Sequence, residues 1–203
     1  YKIFEIDGVR VAIVGMLPPN IPLWEASAPE HFEGLAFTGI ISETEKVVKE
    51  LEGKYDVLIG NYHLGPNGDH NFKGLDDVAE MFPQFDVLFG GHAHSKVNKE
   101  VNGVTIVEPG KYGWALGKAN ITLTKSGDKY EVKSIEAENL ETYDVEEDPG
   151  ILEMFKFVHE DSLADANTIV GTISTDFIDK PDYITGEDKI TTMPTSQIMD
   201  SSI

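Results

Sequence analysis

Two imidazoles, set two residues apart after a short apolar run and a pair of glycines, are where this chain could do chemistry. The segment reads Phe85-Asp86-Val87-Leu88-Phe89-Gly90-Gly91-His92-Ala93-His94. In extended backbone, side chains at i and i+2 leave the same face. His92 and His94 are therefore expected to converge, with Ala93 pointing away. The glycines let the backbone turn tightly or approach a ligand closely. Neutral imidazole is the commonest protein ligand for transition metals. An ordinary surface loop needs neither the apolar strand nor the paired glycines. The pattern predicts half of a metal site.

A second segment has the same construction. Tyr55-Asp56-Val57-Leu58-Ile59-Gly60 is followed by Asn61-Tyr62-His63-Leu64-Gly65. Both runs carry aspartate at the second position and glycine at the sixth, and a histidine follows within three residues. Two such strands separated by a helix would bring both histidine loops to one edge of a parallel sheet. In open α/β sheets, ligands gather outside the carboxyl ends of the strands. His63 thus joins His92 and His94 as a candidate ligand, with the imidazole nitrogens of all three expected near a common centre. His31, His70 and His159 lack this context and read as surface or helix residues.

The elements that must position these loops follow from pattern. Lys2 to Ile6 and Val9 to Gly15 read as strands joined at Asp7-Gly8, a strong hairpin signal. After Pro18-Pro19 the chain is irregular through Gly34, with Trp24 as a packing anchor. Ser42-Glu43-Thr44-Glu45 predicts a capping box, and Val47, Val48 and Leu51 the apolar stripe of a helix ending near Gly53. A second helix is expected over Leu75 to Phe82. Val104 to Val107 is a strand, and Ala115 to Thr124 and Tyr130 to Glu136 pair around Ser126-Gly127. This order predicts a mixed sheet packed on a second sheet, with helices outside. Residues 1–140 form one domain on this reading, and 141–166 an acidic connector and a linker helix opened by Asp148-Pro149. That helix has Ile151, Met154, Phe155 and Val158 on one face. A further strand near Ile169 would begin a second domain over 167–203.

Composition sets outer limits. The chain has 203 residues, 40% of them hydrophobic, enough for a sizeable core. Its formal charge of −20 repels nucleic-acid backbones and anionic membranes, so no nucleic-acid polymer is expected as a partner. There is no cysteine, which excludes thiolate metal sites and fits an extracytoplasmic protein. No apolar run approaches the ~20 residues of a membrane span, and no signal peptide is visible. A phosphate ester would meet a strongly negative chain with only 16 lysines and arginines. Lys96 and Lys111 lie near the histidines in sequence but read as solubilising surface residues. A bound metal would then be the best local source of positive charge.

The order His63-Leu64-Gly65, Gly90-Gly91-His92-Ala93-His94 and Pro109-Gly110-Lys111-Tyr112-Gly113-Trp114-Ala115-Leu116-Gly117 resembles the metallophosphatases of the calcineurin-like superfamily. It is most similar to their two-domain nucleotidase branch, the 5′-nucleotidases and 2′,3′-cyclic-nucleotide 2′-phosphodiesterases. Pro18-Pro19-Asn20-Ile21 followed by Trp24 looks more like the cyclic-phosphodiesterase members. One departure is Phe72-Lys73-Gly74-Leu75-Asp76-Asp77, where those members usually carry Ala-Glu-Asn.

The resemblance implies an α/β (α+β) fold, a four-layer αββα sandwich. This chain would be the second half of the catalytic domain plus the start of a carboxy-terminal nucleotidase domain. It also implies two divalent metal ions (zinc, manganese or similar), with His63 and His92 on one and His94 on the other. The remaining ligands, an Asp-x-His pair, a bridging aspartate and an asparagine, and a catalytic histidine on Gly-Asn-His, are expected upstream of Tyr1. No catalytic or substrate-binding residue is therefore assigned here. The implied partners are a nucleotide and the remaining N-terminal and C-terminal portions of the same enzyme. The implied activity is hydrolysis of 2′,3′-cyclic nucleotides and 3′-nucleotides. Three alternatives stay open: a 5′-nucleotidase, a surface binding module that has lost hydrolysis, and a mononuclear zinc hydrolase built on these three histidines alone.

Overall fold

The computed structural model describes residues 1–68, 72–127 and 129–172. Residues Tyr1–Val145 cluster as one unit and Glu146–Ile203 as a second. The first unit is built on a six-stranded sheet. Its strands are β1 (Lys2–Ile6), β2 (Val9–Met16), β3 (Val57–Tyr62), β4 (Val87–Phe89), β5 (Lys96–Val101) and β6 (Val104–Pro109), in the order β1-β2-β3-β4-β6-β5. The four central strands are parallel and the two outer ones antiparallel. The Asp7-Gly8 and Asn102-Gly103 turns close the outer hairpins, all four residues having positive φ, as a turn matched to strand twist requires.

Even-numbered positions of the central strands face helices α2 (Ile40–Leu51) and α3 (Leu75–Met81). There Ala12, Val14, Leu58, Tyr62, Leu88 and Ile106 pack with Ile40, Leu51, Leu75, Val78 and Phe85 in one buried cluster. Fully burying each larger apolar side chain contributes about 1.5–3 kcal/mol. On the other face, Val107 and Phe89 lie against Gly117 of a long hairpin, β7 (Ala115–Ser126) with β8 (Lys129–Glu141). Asn139 of β8 donates to the carbonyls of Val97 and Glu108 at 2.9 and 3.0 Å. Helices, sheet and hairpin are thus three consecutive layers of the expected sandwich.

The aspartate-glycine repeat has a physical reading. Asp56 receives bonds from the Arg10 backbone amide (2.9 Å) and guanidinium (3.0 and 2.7 Å), tying the start of β3 to β2. Asp86 accepts from the Leu58 amide at 2.8 Å, tying the start of β4 to β3. At the other end, a Cβ on Gly60 would lie 2.3 Å from Leu88 Cδ2. Aspartate fixes where each strand starts, and glycine lets its far end pass a neighbour.

Three local expectations change. Helix α2 starts at Ile40 rather than after Ser42, because Ile40 is buried and enters the helix from Gly39; the Ser42 hydroxyl donates to the Gly39 carbonyl at 2.9 Å. Strand β5 was not expected, although Val97, Lys99 and Val101 alternate ahead of Asn102-Gly103. The stretch after Pro19 contains short helical turns at Ile21–Trp24 (α1) and Pro29–Phe32.

In the second unit, α4 (Pro149–Ala166) begins at Asp148, whose carboxylate accepts from the Gly150 and Ile151 amides at 2.7 and 3.1 Å. Residues 169–172 have no strand, and the remainder of the tail lies outside the described residues, as does His70. Among the described residues, no helix is long and apolar enough to cross a membrane.

The Arg10–Asp56 pair makes a pH prediction. The guanidinium holds the Asp56 carboxyl down to about 2. A depressed folded-state pKa adds stability that is present above the ordinary carboxylate range and is lost as pH falls toward 2. Asp56→Asn should lower the urea midpoint near neutral pH, and the gap from wild type should close as pH falls from about 5 toward 2. A gap constant across that range would show that the ion pair is not the cause.

Candidate metal centre

All three candidate histidines follow the carboxyl ends of strands at one edge of the sheet. His63 continues β3, its amide donating to the Met16 carbonyl at 3.0 Å. Tyr62 before it is buried, with its hydroxyl 2.9 Å from Thr44 Oγ1 and its ring edge-on to Phe85. Burial pushes the Tyr62 hydroxyl up to about 12, so it stays protonated in its hydrogen bond. The His63 backbone is thereby rooted in the core.

The two histidine loops are joined backbone to backbone. The Gly91 amide donates to the Leu64 carbonyl at 3.1 Å, and the Gly90 amide to Val107 at 2.8 Å. Side chains have no room at this crossing. A Cβ on Gly65 would lie 2.4 Å from Ala93 Cβ, and one on Gly90 2.5 Å from Leu75 Cδ1 and 3.0 Å from the Leu64 carbonyl oxygen. A Cβ on Gly91 would come 3.2 Å from His63 Nδ1. The glycines therefore serve close approach, and Ala93 packs on Gly65 instead of pointing into open space.

The structure brings His63 and His92 together, with ring centroids 5.3 Å apart. His94 lies against Tyr112, 6.0 Å between centroids. The expected i, i+2 convergence fails because this loop is not extended: His92 and His94 have φ of 67° and 58°. Among the described residues, no three histidine, aspartate or glutamate side chains gather around a single point. The common centre expected for all three imidazoles is not formed.

Backbone strain is concentrated here. Five described non-glycine residues have positive φ; Asp7 and Asn102 sit in tight turns before glycine, and the other three are His92, His94 and Tyr112. Each such conformation costs on the order of 1–3 kcal/mol and persists only where its surroundings over-determine it. Trp24 is one such surrounding. Its indole stacks on His92 at 4.9 Å and 20°, with Phe72 edge-on at 6.0 Å. The tryptophan read as a packing anchor is an anchor for the site itself.

A cleft of about 380 Å³ opens between the ends of β2, β3 and β4, lined by Gly15–Leu17, Asn61–His63, Gly90 and Gly91. Asn61 adds an exposed carboxamide that the sequence reading did not single out. Also missed was Glu108 on β6, fully buried, whose carboxylate takes the Ser95 hydroxyl at 2.8 Å. Burial pushes this carboxyl up, against the Ser95 hydrogen bonds and the charges of His94 and His92. Its one sequence signal is an acid directly after the run Val104–Val107, before Pro109. Burial lowers the His63 pKa, and repulsion from His92 and His94 lowers it further. Both effects favour the neutral, metal-ligating form of the imidazole. A neutral His63 beside His92, with glycine leaving His63 Nδ1 uncrowded, fits a borderline divalent cation that draws further ligands from elsewhere.

No protein-family model matches the chain. It is 26% identical over 183 residues to endonuclease YhcR of Bacillus subtilis strain 168, covering 87% of this chain and 15% of that protein. It is 25% identical over 167 residues to the 2′,3′-cyclic-nucleotide 2′-phosphodiesterase/3′-nucleotidase of Salmonella typhimurium, covering 70% of this chain and 25% of that protein. The crystal structure of the calcineurin-like phosphoesterase YfkN from Bacillus subtilis superposes with a TM-score of 0.68 at 19% identity, over 79% of this chain and 54% of that one. The chain therefore spans a quarter or less of the length of these two sequence relatives.

The fold is that of the calcineurin-like phosphoesterases, and the homologues belong to the same broad group at low identity. The sequence relatives named above are nucleotide-acting enzymes, each at 25–26% identity.

The crossing of the two loops makes a testable contrast. Gly65→Ala forces Ala93 and the His92 loop away and should destabilise by about 1–3 kcal/mol in urea unfolding. Gly15→Ala, at the same edge, places its Cβ 3.9 Å from the Asn61 carbonyl without strain and should be tolerated. Equal stability of the two variants would refute the close-approach account.

Proposed function

We propose that this chain carries one side of the active centre of a metal-dependent nucleotide phosphoesterase that hydrolyses 2′,3′-cyclic nucleotides and 3′-nucleotides. The observation that carries this reading is the pairing of His63 with His92 at the carboxyl edge of the parallel strands. His63 and His92 would hold one divalent cation and His94 a second. The remaining ligands would come from other portions of the same enzyme. When bound, such cations polarise phosphoryl oxygens and lower the pKa of a coordinated water.

The chain's own residues prepare for that chemistry. Partial desolvation lowers the His63 pKa, which favours its neutral, donating form. Trp24 fixes the plane of the His92 ring and covers one of its faces. The cleft beside Asn61 and Gly91 offers space for a phosphoryl group where backbone can approach it closely. Among the described residues no lysine or arginine lines that cleft, so charge neutralisation would fall to the cations.

The cyclic and 3′-nucleotide preference is supported by Pro18-Pro19-Asn20-Ile21 with Trp24, and by the activity in the name of the Salmonella relative. The Bacillus endonuclease makes a nucleic-acid polymer the second substrate to test. The chain's charge of −20 argues against a polymer and favours a small anion. We place the activity outside the cytoplasm, in keeping with a cysteine-free acidic chain.

The test is phosphate release by the full natural protein, supplied with manganese or zinc, from 2′,3′-cyclic, 3′- and 5′-nucleotides, with single-stranded DNA and RNA assayed alongside. His92→Ala should lower turnover by about 10²-fold or more while the fold survives. His70→Ala should have little effect. Turnover of 5′-nucleotides alone would overturn the substrate assignment, and equal losses in both variants would overturn the site. Wild-type protein that binds the cations and hydrolyses nothing would favour a binding module.

A further inference from the structure

We propose that Glu108 is a positioning residue: by clamping Ser95, it holds the strained loop that carries His92 and His94. The proposal rests on the metal-centre reading above. Glu108 is 0% exposed, at the carboxyl end of β6. A buried carboxylate costs free energy unless its oxygens are bonded, and among the described residues no lysine or arginine pairs with it. Its oxygens go instead to Ser95, accepting from the backbone amide at 3.3 Å and from the hydroxyl at 2.8 Å. Ser95 directly follows His94.

The loop is pinned at both ends. Upstream, the Gly91 amide is bound to Leu64 and the Ala93 amide donates to the Gly91 carbonyl at 2.7 Å. Downstream, the Ser95–Glu108 clamp ties it to β6. Between these pins lie the two left-handed histidines. Glu108 also sits under the loop, its Cβ 3.4 Å from where a Cβ of Gly90 would be. Its own carbonyl accepts from Asn139 of the hairpin at 3.0 Å. The histidine loop is thereby fastened through β6 to the second sheet. Glu108 needs no contact with substrate to act in this way. Glutamine can keep an acceptor for the Ser95 amide and offer a donor to its hydroxyl, whereas leucine can do neither.

The experiment compares wild type, Glu108→Gln, Glu108→Leu and Ser95→Ala in the full natural chain. Manganese affinity is measured by calorimetry, and amide hydrogen exchange is followed by mass spectrometry in peptides covering residues 90–96 and 40–51. Glu108→Leu and Ser95→Ala should bind manganese about 10- to 100-fold more weakly. Both should exchange faster over 90–96, with 40–51 unchanged. Glu108→Gln should stay close to wild type in both readouts. Wild-type behaviour of both Ser95→Ala and Glu108→Leu overturns the clamp, as does a Gln variant as impaired as the Leu variant. Should Glu108→Leu fail to fold, Ser95→Ala decides alone. Faster exchange in the variants without any manganese binding by wild type overturns the metal reading and supports the clamp.

Discussion

The hydrogen bond from the Gly91 amide to the Leu64 carbonyl is the contact on which the site depends. It joins the loops after β3 and β4, and it forms only because no side chain stands between them. Gly65, Gly90 and Gly91 lie where an added Cβ would meet Ala93, Leu75 or His63. Parallel neighbours aim their carboxyl ends the same way, so the sheet brings the two histidine loops to one edge. Glycine then decides how closely they meet. The imidazole pairing at 5.3 Å is a result of backbone packing, made before any ligand is considered.

Such a meeting has a cost, and the surrounding structure offsets it. His92, His94 and Tyr112 hold conformations that L-residues rarely adopt. Tryptophan stacking, a buried acid and loop-to-strand hydrogen bonds all converge on the same short stretch. Rigid support of this kind preorganises a site, because ligands that are already oriented lose less freedom on binding. The rest of the domain is regular by comparison, with central strands buried on both faces and alternation in the outer strand β5 and the hairpin.

Much of this was legible in the sequence. The two aspartate-to-glycine runs gave the central parallel strands, since aspartate and glycine answer to local needs at the two ends of a strand. Asp7-Gly8 gave its hairpin for the same reason: turn chemistry is local. What escaped was non-local. Glu108 looks like a misplaced charge inside an apolar strand until Ser95, thirteen residues away, is seen above it. Trp24 lies far from His92 in the chain, and nothing in its neighbourhood signals an imidazole stack. The relation of His92 to His94 was misjudged because alternation assumes extended backbone, and this loop is left-handed. Strand β5 lacks an apolar run because it is an edge with one half-buried face.

That edge has a bearing on how the molecule avoids unwanted assembly. Unpaired strand edges are templates on which another chain can add. Beside β5, Asn98 and Asn139 reach across to carbonyls of the hairpin and of β5 itself, and Lys96 and Lys99 are held in ion pairs with Glu141 and Asp76. An incoming strand would have to compete with these contacts and approach two ammonium groups. At the opposite margin β1 carries its own charge, with the Lys2 ammonium 4.9 Å over the exposed Phe4 ring. On the β5 side the sheet is thus guarded against lateral growth by its own side chains.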